Sequence, residues 1–547
     1  MRSPRSNFVF SQVPSVVRPR STFDRSRYYK SAFDAGKLIP FFIDEVLPGD
    51  TFTLNTTSFA RLSTLVTPFM DNLYLDFFFF YVPNRLVWEN WERFCGAQDN
   101  PGDSTDYLLP QVDIDGVDDN SVGSIYDYFG LPVQKTMLVS ALPFRCYNLI
   151  WNEFFRDENL QDSLLVPTDD GPDSGNHYTL QYRGKRKSDP FTSALPWPQK
   201  GPGVEINLGT FAPVGALDAN SKFHNVGFGN WSTSTTAVSL FNSGAAIPSS
   251  QGASPTASNN NVGFIDKGSQ GDISLYKPTG TSGNSMRLYA DLSSTASVTI
   301  NSLREAFQVQ KWYEQLARGG SRYLELCLSM FGTHTGDARL QRPEYLGGGS
   351  TPIQVHSVVQ ASATNNTSPQ GNLAGYGVAG ANGVRFSKSF VEHGHIIGLV
   401  SVRGDYGYQQ GIDRIWSRKT KFDFYWPAFA HLGEVPILNK EIFYQNNPEV
   451  DNQAFGYQER WYEYRYGVNK ITGKLRSGVS GSLDVWHLAQ NFSALPTLND
   501  TFIRENPPVS RVLAVQNEPA FIFDSVIHCR CARVMPVYSV PGLVDHF

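Results

Sequence analysis

Residues 72–83 read NLYLDFFFFYVP (Asn72–Pro83). In an extended strand, alternate residues point to opposite faces. One face then carries Leu73, Leu75, Phe77, Phe79 and Tyr81, and the other carries Tyr74, Asp76, Phe78, Phe80 and Val82. Both faces are largely apolar, so the strand is expected to be covered on both sides. Pro83 ends it, because proline has no N–H for the ladder. Such a strand demands a large β-rich body, and Asp76 among the aromatics demands a partner.

The rest of the chain supplies candidates for that body. Ahead of it, LIPFFIDEV (Leu38–Val46) runs into the turn signal Pro48-Gly49-Asp50, and Thr51–Val66 alternates through Phe52, Leu54 and Thr56. Short turns between strands are an antiparallel signature. Strands resume at Ile353–Gln360, Val384–Glu392, Ile396–Arg403, Arg511–Gln516 and Phe521–Val537. Between them, helices are predicted at Leu86–Phe94, Leu142–Leu160, Ser302–Arg318 and Arg322–Phe331. Early and late strands that pair across long crossovers describe a mainly β, eight-stranded antiparallel jelly roll with long helical and irregular insertions.

Composition bounds the function. The 547 residues are 13% aromatic and only 18% charged, with a net charge of −5. A chain with few charges is suited to losing surface to partners, and any nucleic-acid contact must be a local patch. Five cysteines do not make a disulfide scaffold. The N-terminal stretch lacks the apolar core of a secretory signal, and no apolar run reaches the ~20 residues of a membrane span. Folding in a cytoplasm is the expectation.

Four regions follow. Residues 1–35 form a basic arm, whose first 30 residues carry Arg2, Arg5, Arg18, Arg20, Arg25, Arg27 and Lys30 against Asp24. Such a tail is either a solvated, partner-draped terminus or a nucleic-acid contact. Residues 36–210 hold the first part of the body and a basic knot, RGKRK (Arg183–Lys187), in which Lys185, Arg186 and Lys187 are candidate phosphate contacts and acidic neighbours are the competing partners. Residues 211–299 are rich in Ser, Thr, Asn, Gly and Ala and read as an excursion. Residues 300–547 complete the body.

Several motifs look like chemistry and fail on context. Gly375-Tyr376-Gly377-Val378-Ala379-Gly380 matches GxGxxG, yet lacks the strand before and helix after, so a glycine-rich surface loop is expected. Asp113, Asp115, Asp118 and Asp119 do not have EF-hand spacing and read as a solvated loop. His393 and His395 share a strand face beside Glu392 without a third ligand. Cys529 and Cys531 read as small buried apolar residues. Nucleophile-elbow, HExxH and Walker patterns are missing, so neither catalysis, a cofactor nor a metal is expected.

Five long segments, in order along nearly the whole chain, resemble the major capsid protein of the Microviridae, gokushovirus branch. They are FDAGKLIPFFIDEVLPGDTF (Phe33–Phe52), FTSALPWPQKG (Phe191–Gly201), DARLQRPEYLGGGS (Asp337–Ser350), EHGHIIGLVSVRGDYGYQQGIDRIWSR (Glu392–Arg418) and FGYQERWYEYRYGVNKITGKLRS (Phe455–Ser477). The resemblance implies a jelly-roll coat protein forming a small, non-enveloped icosahedral shell around circular single-stranded DNA in bacterial hosts. It implies a surface protrusion formed by residues 211–299, and it implies a scaffolding protein and a minor capsid or pilot protein as partners; the Ser/Thr/Asn/Gly composition of that excursion suits an exposed tip that meets a host receptor. The competing class is a jelly-roll carbohydrate-binding protein or carbohydrate-active enzyme, suggested by the aromatic content.

Overall fold

A computed structural model of the chain describes residues 19–115, 120–184, 189–203, 300–318, 341–362, 364–366 and 369–538, together with five short strands at Val214–Leu217, Phe223–Asn225, Gly263–Asp266, Ile273–Tyr276 and Arg287–Ala290. The chain divides into two units, one of residues 1–200 and 314–547 and one of residues 201–313. In the second, Val214–Leu217 pairs with both Phe223–Asn225 and Arg287–Ala290, and Gly263–Asp266 pairs with Ile273–Tyr276.

Among the described residues, the first unit is built on a nine-stranded sheet: β1 (Ser21–Asp24), β2 (Arg27–Phe33), β3 (Ile39–Val46), β4 (Thr51–Leu65), β5 (Leu73–Pro83), β6 (Glu344–Val359), β7 (Leu373–Ser389), β8 (Gly394–Gly404) and β9 (Phe521–Arg533). Their order is β1-β9-β4-β7-β6-β5-β8-β3, with β2 beside β1 on β9, and every pairing is antiparallel. The mainly β, antiparallel, jelly-roll class is therefore what the chain adopts. Residues far apart in sequence sit side by side, as β4 with β9 and β5 with β6 and β8. Strand β6 belongs to two ladders: its first part pairs with β5, and Gln354–Val359 pairs with β7.

Strand β5 is covered on both faces. Leu73, Leu75, Phe77, Phe79 and Tyr81 enter one core with residues of β2, β3, β4, β7, β8 and β9. This core fills the curled ladder. Phe80 and Val82, on the other face, enter a second core with Ile397 and Leu399 of β8 and with helix α1 (Leu142–Phe154). Phe80 packs 4.8 Å from Phe154 and 5.9 Å from Phe155. Each buried Phe is worth roughly 1.5–3 kcal/mol, so these few residues anchor both layers. Helix α1 presents Leu142, Cys146, Tyr147, Ile150 and Trp151 to that core, at helical spacing.

Glycines make room for the rings. Gly347, Gly348 and Gly349 of β6 lie opposite Phe79, Phe78 and Phe77, and Gly398 of β8 lies opposite Phe79. A Cβ on Gly348 would stand 2.1 Å from the Phe77 carbonyl oxygen, and one on Gly398 would stand 2.8 Å from the Phe79 ring.

The two ends of the ladder are tied by charge. Arg25, between β1 and β2, donates to both carboxylate oxygens of Asp44 on β3, at 3.0 and 2.6 Å. Arg533 at the end of β9 pairs with buried Asp50 at 2.6 Å and donates to the Glu45 carbonyl at 3.1 Å.

Some elements differ from expectation. Residues 511–516 are not a full strand: after a short 3-10 turn, Val509–Arg511, they make one antiparallel bridge, Leu513 to Leu65, at the end of β4. The expected helix at Leu86–Phe94 is split into Asn84–Leu86 and Trp91–Phe94. The region expected as helix Arg322–Phe331 lies outside the described residues.

Candidate nucleic-acid interface and charged anchors

The sequence offered ten cations as nucleic-acid contacts. Arg2, Arg5, Arg18, Lys185, Arg186 and Lys187 lie outside the described residues. Arg20 is exposed and donates to the Gly49 carbonyl at 3.0 Å and to Thr51 Oγ1 at 3.2 Å. Arg25 and Arg27 converge on buried Asp44; Arg27 is 3.7 Å from it, also bonds the Ile43 carbonyl and lies 4.4 Å over the Phe42 ring. Burial pulls the Arg27 guanidinium below its ordinary pKa, and Asp44 opposes that pull. Lys30 pairs with Asp524 across the β2–β9 ladder. From Ser21 onward the basic segment is thus in strands, with cations matched to acids of its own subunit.

The knot is split in the same way. Arg183 Nη1 donates to Asp76 Oδ2 at 2.5 Å, and Arg403 Nε reaches the same oxygen at 2.9 Å. Arg403 comes from β8 beside β5, two residues along from the Ser401–Asp76 register pair. It lies 4.1 Å over the Tyr74 ring, and Arg183 lies 5.4 Å over Phe78. The lone acid of the aromatic strand is therefore a structural anchor.

A second anchor was not legible in sequence. Arg145 of α1 is fully buried and grips Asp173 through Nε at 2.8 Å and Nη2 at 2.7 Å. Its Nη1 also donates to the carbonyls of Val87 and Asp169, at 3.0 and 2.9 Å. The Tyr178 hydroxyl completes the cluster on Asp173 at 2.5 Å. The one available signal was an arginine on the apolar side of a helix.

The motifs set aside earlier resolve as packing. The GxGxxG run is not a surface loop; it lies inside β7. A Cβ on Gly377 would stand 2.9 Å from Leu62 Cβ, and one on Gly375 would stand 3.0 Å from Pro68, so these glycines permit close approach of β4 and the turn after it. His393 and His395 do not form a pair on an open face. His393 sits just before β8 against the Trp91 ring at 5.4 Å, while His395 is buried with Nδ1 2.8 Å from Asn84 Oδ1. Burial pushes the His395 imidazole down to about 4. Cys529 and Cys531 are buried in the inner core, and burial pushes their thiols up to about 12 and about 11. Asp113 and Asp115 line a shallow acidic depression with Asp173, while Asp118 and Asp119 lie outside the described residues. Among the described residues, no group of three or more His, Cys, Asp or Glu side chains is placed to hold a metal ion, and no helix is long and apolar enough to cross a membrane.

What remains is a β body braced by internal ion pairs, with long crossovers between its strands. Comparison with known proteins accords with that picture. The sequence model of the family described as capsid protein (F protein) matches residues 11–543. Capsid protein VP1 of Bdellovibrio phage phiMH2K is 46% identical over 100% of this chain and 99% of its own. Capsid protein VP1 of Chlamydia phage 1 is 45% identical over 98% of this chain and 97% of its own, and that of Spiroplasma virus 4 is 36% identical over 98% and 97%. Matched from end to end by that family and by these gokushovirus relatives, this chain belongs to the capsid protein (F protein) family.

Proposed function

We propose that this chain is the structural subunit of a small, non-enveloped icosahedral phage shell that packages circular single-stranded DNA. The observation that carries the reading is 45–46% identity, over essentially the full length, to phage capsid proteins. Membership of a capsid family makes the role structural and sets aside the carbohydrate-active alternative. The curled antiparallel body and its low charge suit a subunit that gives up several faces to neighbours.

The finer parts of the reading rest on chemistry. The first 18 residues carry Arg2, Arg5 and Arg18 and no acid, with Phe8 and Phe10 interleaved. Cations that track phosphates and rings that stack on bases suit single-stranded DNA. Lys185, Arg186 and Lys187 extend the same role, and exposed Arg20 adjoins it. Arg25, Arg27 and Lys30 serve the subunit's own acids. The Ser/Thr/Asn/Gly-rich region 211–299 is the protrusion that meets a host receptor. Assembly runs in the host bacterial cytoplasm with a scaffolding protein, and a minor capsid or pilot protein joins the virion.

Expression with the phage's scaffolding protein tests the shell. Uniform spherical particles by electron microscopy are expected; folded subunits that never associate would refute it. Deleting residues 215–295 is expected to leave particles intact and to abolish adsorption to host cells.

A further inference from the structure

The long crossover between β8 and β9 carries a surface that the body does not use. Trp416, Phe422, Phe424, Tyr425, Trp426 and Tyr464 are all roughly half-exposed or more. Phe424, Tyr425 and Tyr464 cluster around Arg418 and Trp461, and Trp416 stands two residues before Arg418 in the chain. Arg418 lies 5.1 Å over Phe424 and 4.7 Å over Tyr464. Tyr425 meets Trp461 edge-on at 5.7 Å and stands 6.3 Å from Tyr464. The Trp426 indole donates to the Lys421 carbonyl at 2.8 Å, which fixes that ring outward.

The platform beneath is rigid. Trp461 is buried, holds a left-handed backbone at φ 70°, and donates its indole N–H to the Phe429 carbonyl at 3.0 Å. A bulky side chain rarely adopts that conformation, and such positions concentrate where a surface is organised for binding.

Charge decides the kind of partner. Residues 413–465 contain seven Lys/Arg against eight Asp/Glu. Three of the seven cations face acids: Arg418 meets Glu463 at 3.3 Å, Arg414 meets Glu441 at 3.4 Å, and Arg465 meets Glu459. Binding to DNA draws on uncompensated cations, which this surface lacks in excess. Aromatic residues with arginine on a charge-balanced ground are the composition of a protein interface. Area points the same way. At ~150–250 Å² per buried aromatic, six that are half-exposed or more offer on the order of 600 Å². That approaches the ~800 Å² each partner gives up in a standard interface.

We infer that the aromatic platform around Trp461 is a contact between copies of this chain, in which Trp416, Phe424 and Trp426 insert against a neighbouring subunit. The inference rests on the shell reading above, since a capsid family supplies the second copy.

Two measurements test it on the full chain. Oxidative footprinting of wild-type particles and of subunits dissociated from them should show Trp416 and Trp426 protected at least fivefold in the particle. The Phe424→Glu/Trp426→Glu variant should give folded, soluble subunits and at least a tenfold loss of particle yield. Equal oxidation in particle and subunit overturns the inference, even where a variant fails to fold. So do particles formed at wild-type yield, and so do intact variant particles with reduced DNA, which would reassign the platform to the genome. Wild-type protein that forms no particles removes the shell reading and this inference together, whereas particles with an open platform remove only the inference.

Discussion

Arg403 Nε donates to Asp76 Oδ2 at 2.9 Å, from the strand that flanks Asp76 in the ladder. Arg183 joins on the same oxygen. The pair sits on the outer face of β5, where Tyr74 and Phe78 stack beneath the two guanidiniums. Asp76 is nearly inaccessible, while both arginines retain some contact with water. Replacing the carboxylate leaves two cations over aromatic surface. Asp76→Asn is therefore expected to cost about 2–3 kcal/mol, below the usual loss for a fully buried pair because the arginines stay partly solvated. A lower urea midpoint with an unchanged m-value is the expected reading.

His395 predicts a pH dependence. Burial depresses its imidazole to about 4, against an ordinary value of 6.5. Between these values the unfolded chain binds a proton that the folded chain does not. Stability from this group is complete above about 6.5 and falls as pH drops toward about 4, by about 3 kcal/mol in all. His395→Gln keeps a polar partner for Asn84 and removes the titration. Urea unfolding at pH 7.5 and 4.5 should show a smaller difference for the variant than for the wild type.

The second and third glycines of the GxGxxG run, Gly377 and Gly380, are not equivalent. A Cβ on Gly377 runs into Leu62 at 2.9 Å and Ile353 at 3.3 Å, while one on Gly380 meets nothing within 4 Å. Gly377→Ala is expected to cost about 1–3 kcal/mol through overpacking. Gly380→Ala is expected to stay within about 0.5 kcal/mol. Equal thermal midpoints for the two variants would contradict this assignment.

The basic N-terminal region is expected to divide at about Arg20. Removing residues 1–18 should lower the DNA content of purified particles, read by the 260/280 nm ratio, while particle diameter is kept. Arg25→Ala should do the reverse. It leaves buried Asp44 with only the 3.7 Å contact to Arg27 and is expected to cost about 1–2 kcal/mol, with DNA content unchanged.

Period-two patterning in NLYLDFFFFYVP was enough to place β5 between two apolar layers, because a strand with two greasy faces has no other stable environment. Long segment matches were enough to identify the family, because they extend along nearly the whole chain. Turn signals located β3 and β4 almost to the residue. Pairings were another matter. Nothing local in EYLGGGS says that its glycines lie opposite Phe77–Phe79, or that HIIGLV flanks the same strand on the other side. Nor does a basic run reveal which cations are spent on acids far along the chain. Arg25 on Asp44, Arg183 on Asp76 and Arg145 on Asp173 are settled by sheet order and crossover paths. Charge and periodicity are local properties and can be read along the chain. The partner of a buried charge is fixed only when distant strands come together, so the tertiary structure alone decided which arginines hold the subunit.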